Sequence, residues 1–295
     1  MTADKVRTLA ECADMVPDGA TLGIGGLSMN SAPMAFVREL VRRGTRDLTL
    51  VAIVAGMPVD WLVAAGCVRK VVSGLVSFEG FGLAPQFRAA VQRGEVEMEE
   101  YSEHTLICRL QAAAYRLPFI PTKAGLGTDM INTHPDTTRL ETDASTGTCY
   151  VACTPLHLDF AVVHAHAADR EGNARVDPKL LWMDSELVKA ADRTVVTVER
   201  IAHHQELIAA PHATTYPRFV VDAVALAPWG AYPTSMFPSY SHDAAFFEAY
   251  VAAARQADEW TRWWHQRVVD PDDQGAFLEA NGGSRTLMGI ARRPA

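Results

Sequence analysis

"DGATLGIGGLSMNSAP", residues 18–33, frames the reading of the whole chain. It opens with a turn, Pro17-Asp18-Gly19, and continues as a short apolar strand, Ala20–Gly25, that runs directly into glycines. A strand ending in Gly23-x-Gly25-Gly26 lets the backbone approach a ligand closely and leaves N–H groups free to point at it. Ser31 is placed to cap a helix reaching about Arg43, with Pro33 in its first turn, so the positive end of a helix lies nearby. Such a corner suits a phosphate, a carboxylate or an oxyanion, and equally a bare turn. It is not Gly-x-Gly-x-x-Gly, and no acid stands at ribose distance, so a dinucleotide fold has little support.

Outward from this corner the pattern alternates. Residues 4–16 read as an amphipathic helix. "LTLVAIVAG" (48–56) and "KVVSGLVSF" (70–78) are apolar on both faces, as buried parallel strands should be. Pro85–Arg93 reads as a helix, Val96–Met98 as a short strand, and Ser102 as the cap of a helix to about Arg116. Strands are expected at 160–168, 194–198 and 218–227, and a helix over 177–192 with Asp177 as cap. The fold class is therefore α/β, an open, mainly parallel sheet with helices on both faces. The turn-rich stretch 121–149 reads as an active-site or interface loop. Near the end, Trp260, Trp263 and Trp264 share one helix face; core packing is the plainer reading and a subunit interface the other. One domain over 1–270 and a loose tail over 271–295 are expected.

The totals exclude several classes. A 295-residue chain, 48% apolar and 21% charged, has the material for a sizeable core. A net charge of −8 argues against a general nucleic-acid binder but not against an anionic ligand held by backbone N–H groups. No stretch reads as a membrane span or a signal peptide. Five cysteines without a Cys-x-x-Cys suit reduced thiols in a cytoplasmic protein.

Several blocks together carry a resemblance. Asp18-Gly19-x-x-Leu22-x-Ile24-Gly25-Gly26, with Pro33 seven residues on, resembles the signature loop of the α subunit of family I CoA-transferases, the glutaconate and 3-oxoacid type. "VSFEGFGLAPQFRAAVQRGEVEMEEYS" (76–102), "LPFIPTKAGLGTD" (117–129), "AVVHAHAADREGNA" (161–174), "VVTVERI" (195–201) and "APWGAYPTSMFPSY" (227–240) follow in family order. The resemblance covers residues 3–255. It implies a CoA-transferase-like fold, a β subunit of the same family as partner in a heterodimer or heterotetramer, and a coenzyme A thioester as substrate with no separate cofactor. It places an oxyanion or CoA-binding role on the loop Gly25, Gly26, Leu27 and Ser28. The chain departs from the family in having Leu27 where Phe is usual and Ser31 where Gly is usual. It also lacks the Glu-Asn-Gly motif that carries the catalytic glutamate on the β subunit. Glu79 in "FEGFG" imitates that motif and reads chiefly as structural.

"EEYSEHTLICRL" (99–110) is where the chain parts from ordinary α subunits. Many of these carry Asn where Glu103 stands; a subgroup with an acid there resembles CoA-thioester hydrolases that open steroid-derived rings. Glu103 follows the Ser102 cap, at the carboxyl end of a strand, where open sheets hold ligands. The positive helix end stabilises a carboxylate there by about 0.3–1 kcal/mol, which suits a base or nucleophile and equally a residue with no chemical role. His164/His166, the "HHQE" run at 203–206, Cys149/Cys153 and His104/Cys108 are each incomplete as metal sites, so no metal is expected. Tyr232, Met236 and Tyr240 are placed to shape an acyl pocket.

Three functional expectations follow. The first is CoA transfer, with the partner supplying the glutamate. The second is hydrolysis of an acyl-CoA, at a C–C bond or the thioester, with Glu103 as base. The third is a non-catalytic subunit shaping the CoA pocket. Decarboxylation of a CoA-bound dicarboxylate on the same scaffold has no isolable signal.

Overall fold

The computed structural model describes residues 4–176 and 183–291. The first half contains β1 (Val6–Arg7), α1 (Leu9–Asp14), β2 (Thr21–Ile24), α2 (Met34–Arg43), β3 (Leu48–Ala55), α3 (Met57–Ala64), β4 (Val68–Val76), α4 (Pro85–Gln92), β5 (Glu97–Glu100) and α5 (Glu103–Ala114). Next come β6 (Ile120–Thr122), α6 (Met130–Thr133), β7 (Thr138–Thr142), β8 (Cys149–Cys153), β9 (Leu158–Ala168) and β10 (Ala174–Arg175). Then follow α7 (Asp184–Ala190), β11 (Ala191–Ile201), α8 (His204–Ile208), β12 (Ala223–Leu226), α9 (Ala244–Ala253), α10 (Ala257–Trp264), α11 (Gln274–Ala280) and α12 (Gly283–Ala291).

Eight strands form one parallel sheet in the order β1-β12-β11-β9-β2-β3-β4-β5, and β10 adds an antiparallel pair to the end of β9. The strand order reverses between β2 and β9, the topological switch point at which open sheets of this kind hold ligands. All eight residues of β3 are buried, and its side chains divide between two helix layers. Leu48, Leu50 and Ala52 join the core under α2 and α3; Val51 and Ile53 face Leu106 and Leu110 of α5. The expected architecture, helices on both faces of a mainly parallel sheet, is observed.

Other expectations need correction. Residues 4–16 are not one helix: Val6 and Arg7 pair with β12, and α1 begins only after Thr8, which forms a reciprocal capping box with Glu11. Ser31 does not cap α2. Its φ is +53°, its hydroxyl is buried without a hydrogen-bond partner, and Pro33 occupies the cap position. The stretch 121–149 is not an irregular loop, because β6, β7 and β8 form a three-stranded antiparallel sheet beside α5. The strand expected over 218–227 shortens to β12, after a 3₁₀ turn at Arg218–Val220. The helix expected over 177–192 is seen from Asp184 to Ala190; Asp177 lies outside the described residues.

The tail expected over 271–295 is folded as α11 and α12, and Phe277 and Ile290 are core residues. Trp264 and Phe277 each pack edge-on against the buried Trp61, with ring centroids 5.8 Å apart. The tryptophan face of α10 is thus turned into the core.

Candidate active site

Two helices on one face of the sheet, α5 and α7, direct their N-termini toward the strands' carboxyl ends, and each begins with an acid. Glu103 is the first residue of α5; the Ser102 hydroxyl accepts the Thr105 N–H at 3.1 Å and fixes that start. The buried Tyr101 anchors the same corner, with its hydroxyl 2.7 Å from that of Thr137 and the Arg109 guanidinium 4.8 Å over its ring. Glu103 is exposed, and its chain lies against β4 at Gly74. A Cβ at that glycine would come within 3.0 Å of Glu103 Cγ and 3.2 Å of its N–H nitrogen. A strand position without a side chain is what lets the acid sit so close to the sheet.

The glycine loop closes around backbone contacts. Gly26 has φ +88° and Ser28 +49°, left-handed conformations that fold the chain sharply back. Leu27 and Asn30 exchange N–H···O bonds of 2.9 and 2.8 Å, and Ser28 N–H donates to Val54 at 2.9 Å. Ser31 N–H donates to Ser235, which in turn donates to Met29, so the loop is stapled to the segment after β12. Gly56 makes the closure possible, since a Cβ there would lie 2.4 Å from the Ser28 carbonyl oxygen. Leu27 packs against the buried cluster that includes Leu106 and Leu110 of α5 and Leu187 of α7.

The free N–H groups expected at this loop are taken. Gly25 N–H donates to Val162 at 2.8 Å, extending the β2–β9 ladder. Gly26 N–H divides between the two carboxylate oxygens of Asp184, at 3.0 and 3.1 Å. Asp184, the first residue of α7, is 6% exposed. Burial pushes its carboxyl up to about 6, against the Gly26 amide, and the Glu186 charge adds to the rise. Asp184, which the sequence pattern does not single out, is the acid that the structure brings onto the glycine loop. Its signal is the one that drew attention to Glu103, an acid opening an amphipathic helix, but only the β2–β9 pairing brings it to the glycine loop.

The remaining candidates are held by other contacts, Glu79 two residues from Ser77, whose carbonyl accepts the Ser28 hydroxyl at 3.3 Å. Glu79 is exposed, at φ +51° in a 3₁₀ turn (Glu79–Phe81) after β4, and its N–H donates to the Ser77 hydroxyl at 3.0 Å. His164 is fully buried, its ring nitrogens 2.8 Å from Thr197 and from Glu199, while His166 Nε2 lies 3.0 Å from the Phe237 carbonyl. The pair shares a strand but is divided between two hydrogen-bond networks. Tyr232, Met236 and Tyr240 do not converge on the glycine loop as an acyl pocket; Tyr232 borders a separate hollow of ≈ 220 Å³ with Asp243 and Trp263. All three are core residues, with the Tyr232 hydroxyl on Asp243 and the Tyr240 hydroxyl on Glu199. Cys108 and Cys153 are buried together under Val151.

Among proteins of known sequence, the chain matches the coenzyme A transferase family over residues 6–227. It is 35% identical to the cholesterol ring-cleaving hydrolase IpdA subunit of Mycobacterium tuberculosis, over 96% of this chain and 99% of that one. It is 34% identical to a protein of Archaeoglobus fulgidus over 98% of its own length, and it spans 65% of that relative's length. Among solved structures, glutaconate CoA-transferase of Acidaminococcus fermentans superposes with a TM-score of 0.91 at 27% identity, covering 98% of this chain and 96% of that one. The glycine loop at the switch point, the shared topology and these likenesses agree: the chain belongs to the coenzyme A transferase family.

Proposed function

We propose that this chain is the α subunit of a heteromeric enzyme that acts on acyl-CoA thioesters by CoA transfer, with a β-type partner closing the site and supplying the nucleophilic glutamate. The supporting observation is the openness of the site. Glu103 stands at the surface, and the hollow beneath the glycine loop, lined by Ile24, Ser28 and Gly56, has room for about one water, with ≈ 10 Å³. A thioester must therefore lie across the outer face, where a second subunit can cover it. In transfer, a partner carboxylate attacks the thioester carbonyl and expels CoA thiolate to leave a mixed anhydride. The thiolate then attacks the glutamyl carbonyl to give a glutamyl-CoA thioester and release the carboxylate product. In this reading the glycine loop holds the oxyanion of each addition once an N–H now bonded within the chain is released.

A second reading, hydrolysis, is favoured by one observation: the exposed carboxylate of Glu103 at the start of α5, in a chain 35% identical to a subunit of a ring-cleaving hydrolase. Here Glu103 takes a proton from water or substrate. The purified heteromer separates the two readings when a panel of acyl-CoAs is assayed with and without an acceptor acid. Transfer consumes thioester only when the acceptor is present. Consumption in buffer alone, at the same rate with or without acceptor, contradicts it and supports hydrolysis.

A further inference from the structure

We propose that Asp184 is an internal occupant of a carboxylate cradle formed by Gly25 and Gly26, and that a carboxyl-type oxygen of the substrate replaces it on the Gly26 N–H. The identity of that substrate rests on the acyl-CoA reading above; the cradle rests on geometry. Gly26 N–H splits between both oxygens of one carboxylate, 3.0 and 3.1 Å away. A Cβ on Gly25 would lie 2.9 Å from Asp184 Oδ2 and 3.1 Å from its Cγ, so the bare Cα is what admits the carboxyl group. The space at Gly25 is shared with Val163, whose Cγ1 would lie 2.8 Å from the same Cβ, while Gly26 is required by the turn itself, since a Cβ there would lie 2.6 Å from the Asn30 carbonyl oxygen.

Of the four loop amides from Gly25 to Ser28, three donate to backbone carbonyls, those of Val162, Asn30 and Val54. Freeing any of these means rebuilding the loop or the sheet. Gly26 alone of the four donates to a side chain, and a rotation at Asp184 frees it. The position is also the one a ligand would reach, because it lies at the strand-order reversal between β2 and β9, with α5 and Glu103 beside α7. Glu186 carries the same charge as Asp184 and weakens its hold instead of reinforcing it.

Two sources supply the shared chemistry: the free carboxylate of an acceptor acid, or the oxygen of the thioester as it becomes an oxyanion. In either case the internal carboxylate competes, and apparent affinity is reduced by the fraction of time the cradle is filled. Removing the competitor tightens binding, the reverse of what loss of a merely structural residue would do.

The test uses the purified heteromer with Asp184→Ala and Asp184→Asn, each confirmed folded by its melting transition, and titrates acetyl-CoA and, separately, acetate by calorimetry. The expected result is acetyl-CoA binding about tenfold tighter in Asp184→Ala, with Asp184→Asn between it and wild type. Acetate is expected to bind Asp184→Ala and not wild type. If the alanine variant does not fold, the asparagine variant carries the comparison. Acetyl-CoA binding equal to or weaker than wild type in a folded variant, or acetate failing to tell the proteins apart, overturns the proposal. If acetyl-CoA binds none of the three while acetate fills the alanine variant, the cradle stands and the acyl-CoA reading falls.

Discussion

Glu103 and Gly74 are in contact across the edge of the sheet: the Glu103 side chain occupies the space that a Cβ on Gly74 would enter. The first residue of α5 is thereby seated directly on β4, and its carboxylate is carried to the carboxyl end of the strands without a loop between. Gly74→Ala is therefore expected to displace the start of α5 by a few tenths of an ångström, not to break the fold. The loss of stability should be about 1–3 kcal/mol, while kcat/KM falls about tenfold or more because the carboxylate is misplaced. Chemical denaturation and steady-state kinetics on the same preparation check the split.

The two exposed glutamates near the carboxyl ends should differ sharply. Glu103→Gln keeps the size and the helix start but removes the base; under hydrolysis it lowers kcat by about 10²–10⁴-fold, and under transfer by much less. Glu79→Gln, exposed in a 3₁₀ turn after β4, keeps the backbone bond to Ser77 and should leave both kcat and KM within about twofold. A large loss from the Glu79 change would move the site.

Asp60 joins three helices: it accepts the Phe87 N–H at 2.6 Å and the Tyr250 hydroxyl at 2.7 Å. Complete burial pushes its carboxyl up from the ordinary value of 3.8 to about 7, against those two hydrogen bonds. The folded state thus holds the Asp60 proton more tightly than the unfolded chain does, so stability present at low pH is lost as pH rises from about 4 through 7. The full effect is on the order of 4 kcal/mol. Asp184 acts in the same direction, with its window ending near 6. Melting temperature measured between pH 5 and 8 should fall in wild type and fall less in Asp60→Asn, whose amide can accept from Phe87 and donate to the Tyr250 oxygen.

Phe277 belongs to the core although it stands near the end of the chain. It packs against Trp61 and Tyr232 at 5.8 Å between centroids. Phe277→Ala should cost about 3–5 kcal/mol, and a chain ending at 270 should lose more, read by urea denaturation.

How far the site was legible depends on the range of the forces involved. β3 is plain in the sequence because a strand buried on both faces must be apolar throughout, whereas β4 is legible from its β-branched run although Arg69 and Leu75 are exposed. The start of α5 is plain because Ser102 and Glu103 are set by local capping. The small sheet over 120–153 is not, since β7, "TRLET" (138–142), is mostly exposed and polar with no alternation to read, and only its pairing with the buried β8 makes it a strand. The folded end is illegible for a related reason: Gly282-Gly283 and basic residues suggest a loose tail, while the distant Trp61, Tyr232 and Arg38 make Phe277 a core residue. At the glycine loop the sharp turn is foreseeable from Gly25-Gly26, but the left-handed Ser28 and Ser31 and the hydrogen-bond partners are not. Asp184 stands 158 residues along the chain from Gly26, and no local pattern connects them.

The most direct test of the central claim is borohydride trapping. The heteromer is incubated with an acyl-CoA substrate, treated with borohydride, and assayed for residual activity and for a reduced glutamate by peptide mass spectrometry. CoA transfer requires a glutamyl-CoA thioester, so activity should be lost only when acyl-CoA is present, with the reduced glutamate on the partner subunit. Full activity surviving the treatment, with no reduced glutamate in either chain, would contradict the account.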